Sequence, residues 1–195
     1  MKEDLSRILF SAEEIERAVN AVALDVTSAL EGRPVTVVGV LKGSCIFCAD
    51  LVRRLAFPLE LGFVAASSYG SSTTPGELAL HYFPQADEVR GRDVLLVDDI
   101  LDSGRTLERL RSELLGRGAA TVRTCVLLDK PARRAVSVEA DFRCFEVEDA
   151  FVVGYGLDFD GRYRNLPFVA ELSEEAIRRA SADGAGRGGE VGVTS

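Results

Sequence analysis

The sequence predicts an α/β fold: a doubly wound, mainly parallel sheet flanked by helices, with a small hood beside it. Two observations carry this expectation. Apolar, largely β-branched runs at Pro34–Leu41, Leu59–Ala66, Val94–Val97 and Thr121–Leu128 alternate with segments whose apolar residues recur at helical spacing, the pattern of β-α-β units. The run Val94–Val97 then empties into three acids and a small-residue turn, and such strand ends are where open α/β sheets place ligands. At 195 residues the chain is long enough for one domain with a sizeable core and short for two, so a single domain over 1–180 is expected.

Ser11-Ala12-Glu13-Glu14 has the form of a capping box, and Ile15, Ala18, Val19, Val22 and Val26 follow at helical spacing, which predicts a helix from Ala12 to Leu30. Pro34–Leu41 reads as a strand that breaks at Lys42-Gly43-Ser44, before a helix carrying Ala49, Leu51, Val52 and Leu55. Leu59–Ala66 and Val94–Val97 are the next strands, and Thr121–Leu128 is the fourth, after a helix from Leu107 to Leu115. The intervening Ser67–Gly76 is too polar and small to pack well, which makes it a candidate lid. Val136–Phe145 and Phe151–Gly154 read as short strands of the hood. The Gly-rich segment 181–195 lacks apolar periodicity and is expected to be disordered.

A formal charge of −8 and a pI near 4.8 argue against a nucleic-acid or anionic-membrane surface, since neither attracts a net-negative partner. No run approaches the length of a membrane span, and Met1–Arg7 carries acids without a long apolar core, so a soluble, cytoplasmic protein is expected. Of the four cysteines, only Cys45 and Cys48 have a metal-like or redox-like spacing. With no second pair and a single histidine, His81, the cysteines read as buried thiols in a reducing compartment rather than as zinc ligands. Twenty arginines stand against three lysines, Lys2, Lys42 and Lys130. A chain that otherwise uses Arg keeps Lys where a compact ammonium is needed, which marks Lys42 and Lys130.

Asp102-Ser103-Gly104-Arg105-Thr106 leads into Leu107, Leu110, Leu114 and Leu115, so its backbone N–H groups lie at a helix N-terminus, where phosphate is favoured. Asp98, Asp99 and Asp102 place acids for a sugar or a metal beside that cradle. A plainer reading makes Asp102 a helix N-cap and the other acids a strand-end fringe. Against it, three crowded carboxylates without a cation are mutually destabilising. A receiver domain would carry its acid pair after the first strand, near the chain start.

The thirteen residues Val94–Thr106 resemble the phosphoribosyl pyrophosphate (PRPP) signature of the type I phosphoribosyltransferases: an apolar strand, two acids, two apolar residues, then Asp-Ser/Thr-Gly-x-Thr. Further blocks resemble the hypoxanthine-guanine phosphoribosyltransferases: Leu41-Lys42-Gly43-Ser44, Ser67-Ser68-Tyr69-Gly70, Leu127-Leu128-Asp129-Lys130-Pro131, Phe151 to Asp158, and Arg162 to Pro167. The resemblance implies the type I fold and a Mg²⁺-dependent transfer of the 5-phosphoribosyl group from PRPP to N9 of hypoxanthine or guanine. It implies that Asp98 and Asp99 hold the ribose hydroxyls, that Ser103, Gly104, Arg105 and Thr106 hold the 5′-phosphate, and that Asp102 accepts the N7 proton as general base. Lys42-Gly43, with a cis peptide between Leu41 and Lys42, and Arg164 would meet pyrophosphate. Lys130 would donate to the purine 6-oxygen, Phe151 would stack on the ring, and the Val152 carbonyl would meet the base edge. Asp158, near the purine 2-substituent, would also face Mg²⁺, as would Asp98 and Asp99. Ser68 and Tyr69 would close as a lid.

The chain departs from the family's frequent Glu-Asp at Asp98-Asp99, where Asp is one methylene shorter and leaves room for a bridging water. It also has Arg105 where some members have Lys, and a lid sequence of its own. A homodimer or homotetramer is the family expectation. Two other readings remain open to the sequence: a xanthine-preferring transferase, and a non-catalytic regulator that senses PRPP and binds nucleic acid.

Overall fold

The computed structural model of the chain describes residues 2–67 and 79–186. In chain order the elements are β1 (Leu5–Phe10), α1 (Ala12–Leu30), β2 (Val35–Leu41), α2 (Cys45–Val52), β3 (Leu59–Ser67), β4 (Ala79–Tyr82), α3 (Ala86–Val89), β5 (Asp93–Leu101), α4 (Arg105–Gly116), β6 (Thr121–Asp129), β7 (Phe142–Glu146), β8 (Val152–Val153), β9 (Val169–Leu172) and α5 (Glu174–Gly186). The main sheet has the order β4-β3-β2-β5-β6-β7. All its pairings are parallel except that of β4 with β3.

Strand alternation distributes the core to both faces, as a doubly wound sheet requires. Val37, Leu95, Val97, Cys125 and Leu127 pack with α1 and α2 through Ile15, Val19, Val22, Val26, Phe47 and Leu51. Their neighbours Val38, Val40, Val94, Leu96 and Val126 pack with α4 through Leu107, Leu110 and Leu114. Helix α1 has the expected bounds because its capping box forms: Ser11 Oγ accepts from the Glu14 N–H while the Glu14 carboxylate accepts from the Ser11 N–H.

Several expectations are corrected. Phe142–Glu146 extends the main sheet beside β6, with Cys125 opposite Phe142, instead of joining the hood. The hood is the antiparallel sheet β1-β9-β8, and only β8 among its strands was expected. Strand β1 pairs with β9 from Leu5↔Leu172 to Phe10↔Val169, an association that no local pattern encodes. Helix α2 ends at Val52, short of Leu55, and α5 continues to Gly186, past Ser181 where the tail was placed. Cys45 is exposed, unlike the other three free cysteines. Among the described residues no helix is long and apolar enough to cross a membrane.

Candidate active site

Strand β2 connects through α2 outward to β3, and β5 connects through α4 outward to β6 on the other side. The boundary between β2 and β5 is therefore the topological switch point, where doubly wound sheets open a crevice. The two strands pair only from Val35↔Asp93 to Gly39↔Val97. Beyond that register lies a cleft of about 600 Å³ lined by Lys42 and Gly43, by Asp98, Asp99, Asp102, Ser103, Gly104 and Thr106, and by Asp158 and Arg164.

Strand β5 is longer than expected and carries both acids within it. Asp98 is buried, and its Oδ1 accepts from the Asp99 N–H at 2.9 Å. Asp99 Oδ1 accepts from the Ile100 N–H at 2.8 Å. Burial first, and then the neighbouring Asp99 charge, raise the Asp98 carboxyl well above the ordinary range. Asp99 is raised by burial, an effect that the Asp98 and Ile100 hydrogen bonds and the Arg164 charge offset in part. The pair is primed for an electropositive or hydroxyl-bearing ligand. Gly43 lies directly under it, since a Cβ there would sit 1.5 Å from Asp99 Oδ2. The preceding Leu41-Lys42 peptide is cis, as the family resemblance implied.

The turn after β5 shows that Asp102 does not cap α4. The N-cap of α4 is Gly104, in the left-handed conformation at φ +82° and without a side-chain cap. The helix start thus keeps its first amides free of side-chain acceptors and facing the cleft, an anion site by geometry. Asp102 is not the cap. Its Oδ1 is buried with no hydrogen-bond partner, and its Oδ2 lies 3.7 Å from Arg133 Nη1. Buried polar atoms are ordinarily hydrogen-bonded, so this oxygen is an acceptor left open.

Across the cleft, Arg164 Nη2 meets Asp158 Oδ1 at 2.6 Å, Arg164 Nη1 donates to the Gly156 carbonyl, and Asp158 Oδ2 accepts from the Gly161 N–H. The carboxylates of Asp98, Asp99 and Asp158 are hard oxygen donors of the kind Mg²⁺ takes. No group of three or more His, Cys, Asp or Glu gathers to hold a metal among the described residues. The donor set therefore fits an ion that brings most of its ligands with it.

Lys130, Phe151 and Val152 stand outside the cleft lining, on its hood side. Lys130 is 4% exposed, and its backbone N–H donates to the Leu101 carbonyl, which ties it to the end of β5. Phe151 is an exposed aromatic meeting Phe159 edge-on, with ring centroids 5.1 Å apart. Val152 is buried opposite Glu171. Ser68 and Tyr69 lie outside the described residues. Sequence reasoning missed Arg133 and Asp149, whose ion pairs with Asp102 and Lys130 join distant segments and leave no local signal.

Strand-end acids beside an uncapped helix start make an α/β site of a kind suited to an anionic phosphate ester. The phosphoribosyl transferase domain matches residues 7–160, and the chain belongs to that family. The hypoxanthine-guanine phosphoribosyltransferase of Bacillus subtilis is 44% identical over 174 residues, 88% of this chain and 96% of that protein. The bifunctional protein TilS/HprT of Listeria innocua is 44% identical over 90% of this chain, which spans 27% of that longer relative. Among solved structures, a hypoxanthine phosphoribosyltransferase from Staphylococcus aureus aligns with a TM-score of 0.83 at 35% identity, over 90% of this chain and 95% of that one.

Proposed function

We propose that this chain transfers the 5-phosphoribosyl group from PRPP to N9 of hypoxanthine or guanine, releasing pyrophosphate, as a cytoplasmic purine-salvage enzyme. The observation that carries the reading is the cleft itself: strand-end acids, uncapped helix start and arginine meet at one switch point, in a chain 44% identical to a named hypoxanthine-guanine enzyme over 96% of its length. Residues 1–180 would form the catalytic domain, assembled as a homodimer or homotetramer.

In this reading the amides of Ser103 to Thr106 hold the 5′-phosphate, while Asp98 and Asp99 fix the ribose hydroxyls. Lys42-Gly43 and Arg164 receive the pyrophosphate, for which a planar guanidinium fork is suited. Asp158, Asp98 and Asp99 would hold a Mg²⁺ ion that comes with PRPP, and the ion would supply positive charge beside the leaving group. Lys130 selects a 6-oxopurine, Phe151 stacks on it, and the Val152 carbonyl meets its edge. Asp102 takes the N7 proton as N9 bonds to C1′ and the C1′–O bond to pyrophosphate breaks, so no covalent enzyme intermediate is needed. Closure of Ser68 and Tyr69 over the site would exclude water.

Initial rates with Mg-PRPP and each of hypoxanthine, guanine, xanthine and adenine test the reading. Turnover of hypoxanthine and guanine well above xanthine and adenine is expected. Preference for xanthine would replace the substrate assignment, and PRPP binding with no turnover of any base would leave a sensor instead of an enzyme.

A further inference from the structure

We propose that Asp149 is a positioning residue for purine recognition: its carboxylate fixes the Lys130 ammonium so that one N–H is left aimed at the 6-oxygen of the base. The inference rests on the transferase reading above and adds a residue that neither the turn motif nor the family blocks assign. Lys130 Nζ donates to the Ala150 carbonyl at 2.8 Å and lies 3.0 Å from Asp149 Oδ1. An ammonium carries three N–H donors. With two engaged by consecutive residues of one loop, tetrahedral geometry leaves a single direction for the third. The same loop runs straight into Phe151 and Val152, so the lysine is tied to the segment that carries the proposed stacking ring.

Asp149 is itself held. Arg133 Nε lies 3.2 Å from the same Oδ1, and Arg133 Nη1 lies 3.7 Å from Asp102 Oδ2. Lys130, Asp149, Arg133 and Asp102 thus form a run of alternating charge from the purine-reading group to the proton acceptor. The Lys130 hydrogen bond, with the Lys130 and Arg133 charges, keeps the Asp149 carboxyl below its ordinary range and hence anionic at neutral pH. The Asp149 and Arg133 side chains are each 54% exposed, and ion pairs so open to solvent contribute little to folding. Their effect is to orient a cation that is itself 5% exposed along its side chain.

The test compares IMP with purine riboside 5′-monophosphate, which lacks the 6-oxygen and the N1 proton. Dissociation constants for both nucleotides and for PRPP are measured on wild type, Asp149→Ala and Asp149→Asn. Loss of an oriented, charge-assisted hydrogen bond predicts that Asp149→Ala weakens IMP about tenfold, with the 6-unsubstituted nucleotide and PRPP unchanged. Asp149→Asn, which keeps an acceptor, falls between. Equal weakening of both nucleotides, unchanged IMP binding, or tighter IMP binding overturns the proposal. If wild type makes no IMP from hypoxanthine and PRPP, the underlying reading fails and this inference fails with it; wild-type turnover with an unshifted Asp149→Ala defeats this inference alone.

Discussion

Asp102 has two unlike oxygens, one buried without a partner and one facing Arg133, and the proposed general-base role falls on this residue. Asp102→Asn keeps the shape and removes the proton acceptor. Steady-state kinetics should show PRPP affinity near wild type and kcat lower by roughly 10²-fold, the usual scale for a general base; turnover near wild type would take Asp102 out of that role. Asp98 makes a second prediction, through stability. Its folded-state carboxyl is raised well above the ordinary value of 3.8, chiefly by burial. A raised acid contributes stability that is complete below the unfolded value and is lost as pH climbs through the folded one. At neutral pH, far above the unfolded value, Asp98 therefore works against the ligand-free fold. Asp98→Asn should melt at a higher temperature than wild type near pH 7.5, with the gap closing toward pH 4, while transferase activity falls. A variant that melts lower than wild type at every pH would contradict this account of the acid pair.

The turn between β2 and α2 and the end of β5 are built as one unit, because Gly43 lies where any side chain would enter the Asp99 carboxylate. The clash falls on the far end of a side chain, so Gly43→Ala should fold and melt close to wild type. Asp99 must then swing away, and the KM for PRPP should rise at least about tenfold, the scale of one lost charge-assisted hydrogen bond; an unchanged KM would separate Asp99 from ribose binding. These elements were legible in the sequence because their signals are local. Continuous apolar runs marked β2, β5 and β6, a capping box marked α1, and thirteen contiguous residues marked the phosphate turn. What escaped was non-local. Strands β1 and β9 are short and depend on pairing across more than 150 residues. Strand β7 is a half-exposed edge with no continuous apolar run, so nothing in its own pattern showed whether it joined the main sheet or the hood. Asp149 and Arg133 are ordinary loop charges until the fold brings them to Lys130 and Asp102.

The molecule carries a charge of −8 and presents its acids at the very cleft that, in the proposed function, accepts polyanionic PRPP. A divalent cation arriving with the substrate would resolve the conflict, and the described residues gather no cluster of three or more ligands that would hold it beforehand. Calorimetric titration of Mg²⁺ should therefore show weak binding to the free protein and much tighter binding once PRPP is present; tight binding without PRPP would show a resident metal site. Mn²⁺, a similarly hard ion, should substitute, and zinc should not be required. In the proposed function the switch-point cleft joins a purine to phosphoribose. The most direct measurement is the stoichiometry of one reaction, with PRPP, IMP and pyrophosphate quantified together as the protein consumes hypoxanthine and Mg-PRPP. One IMP and one pyrophosphate are expected for each PRPP consumed, whereas PRPP that is bound without turnover, or broken down without forming nucleotide, would overturn the transferase assignment.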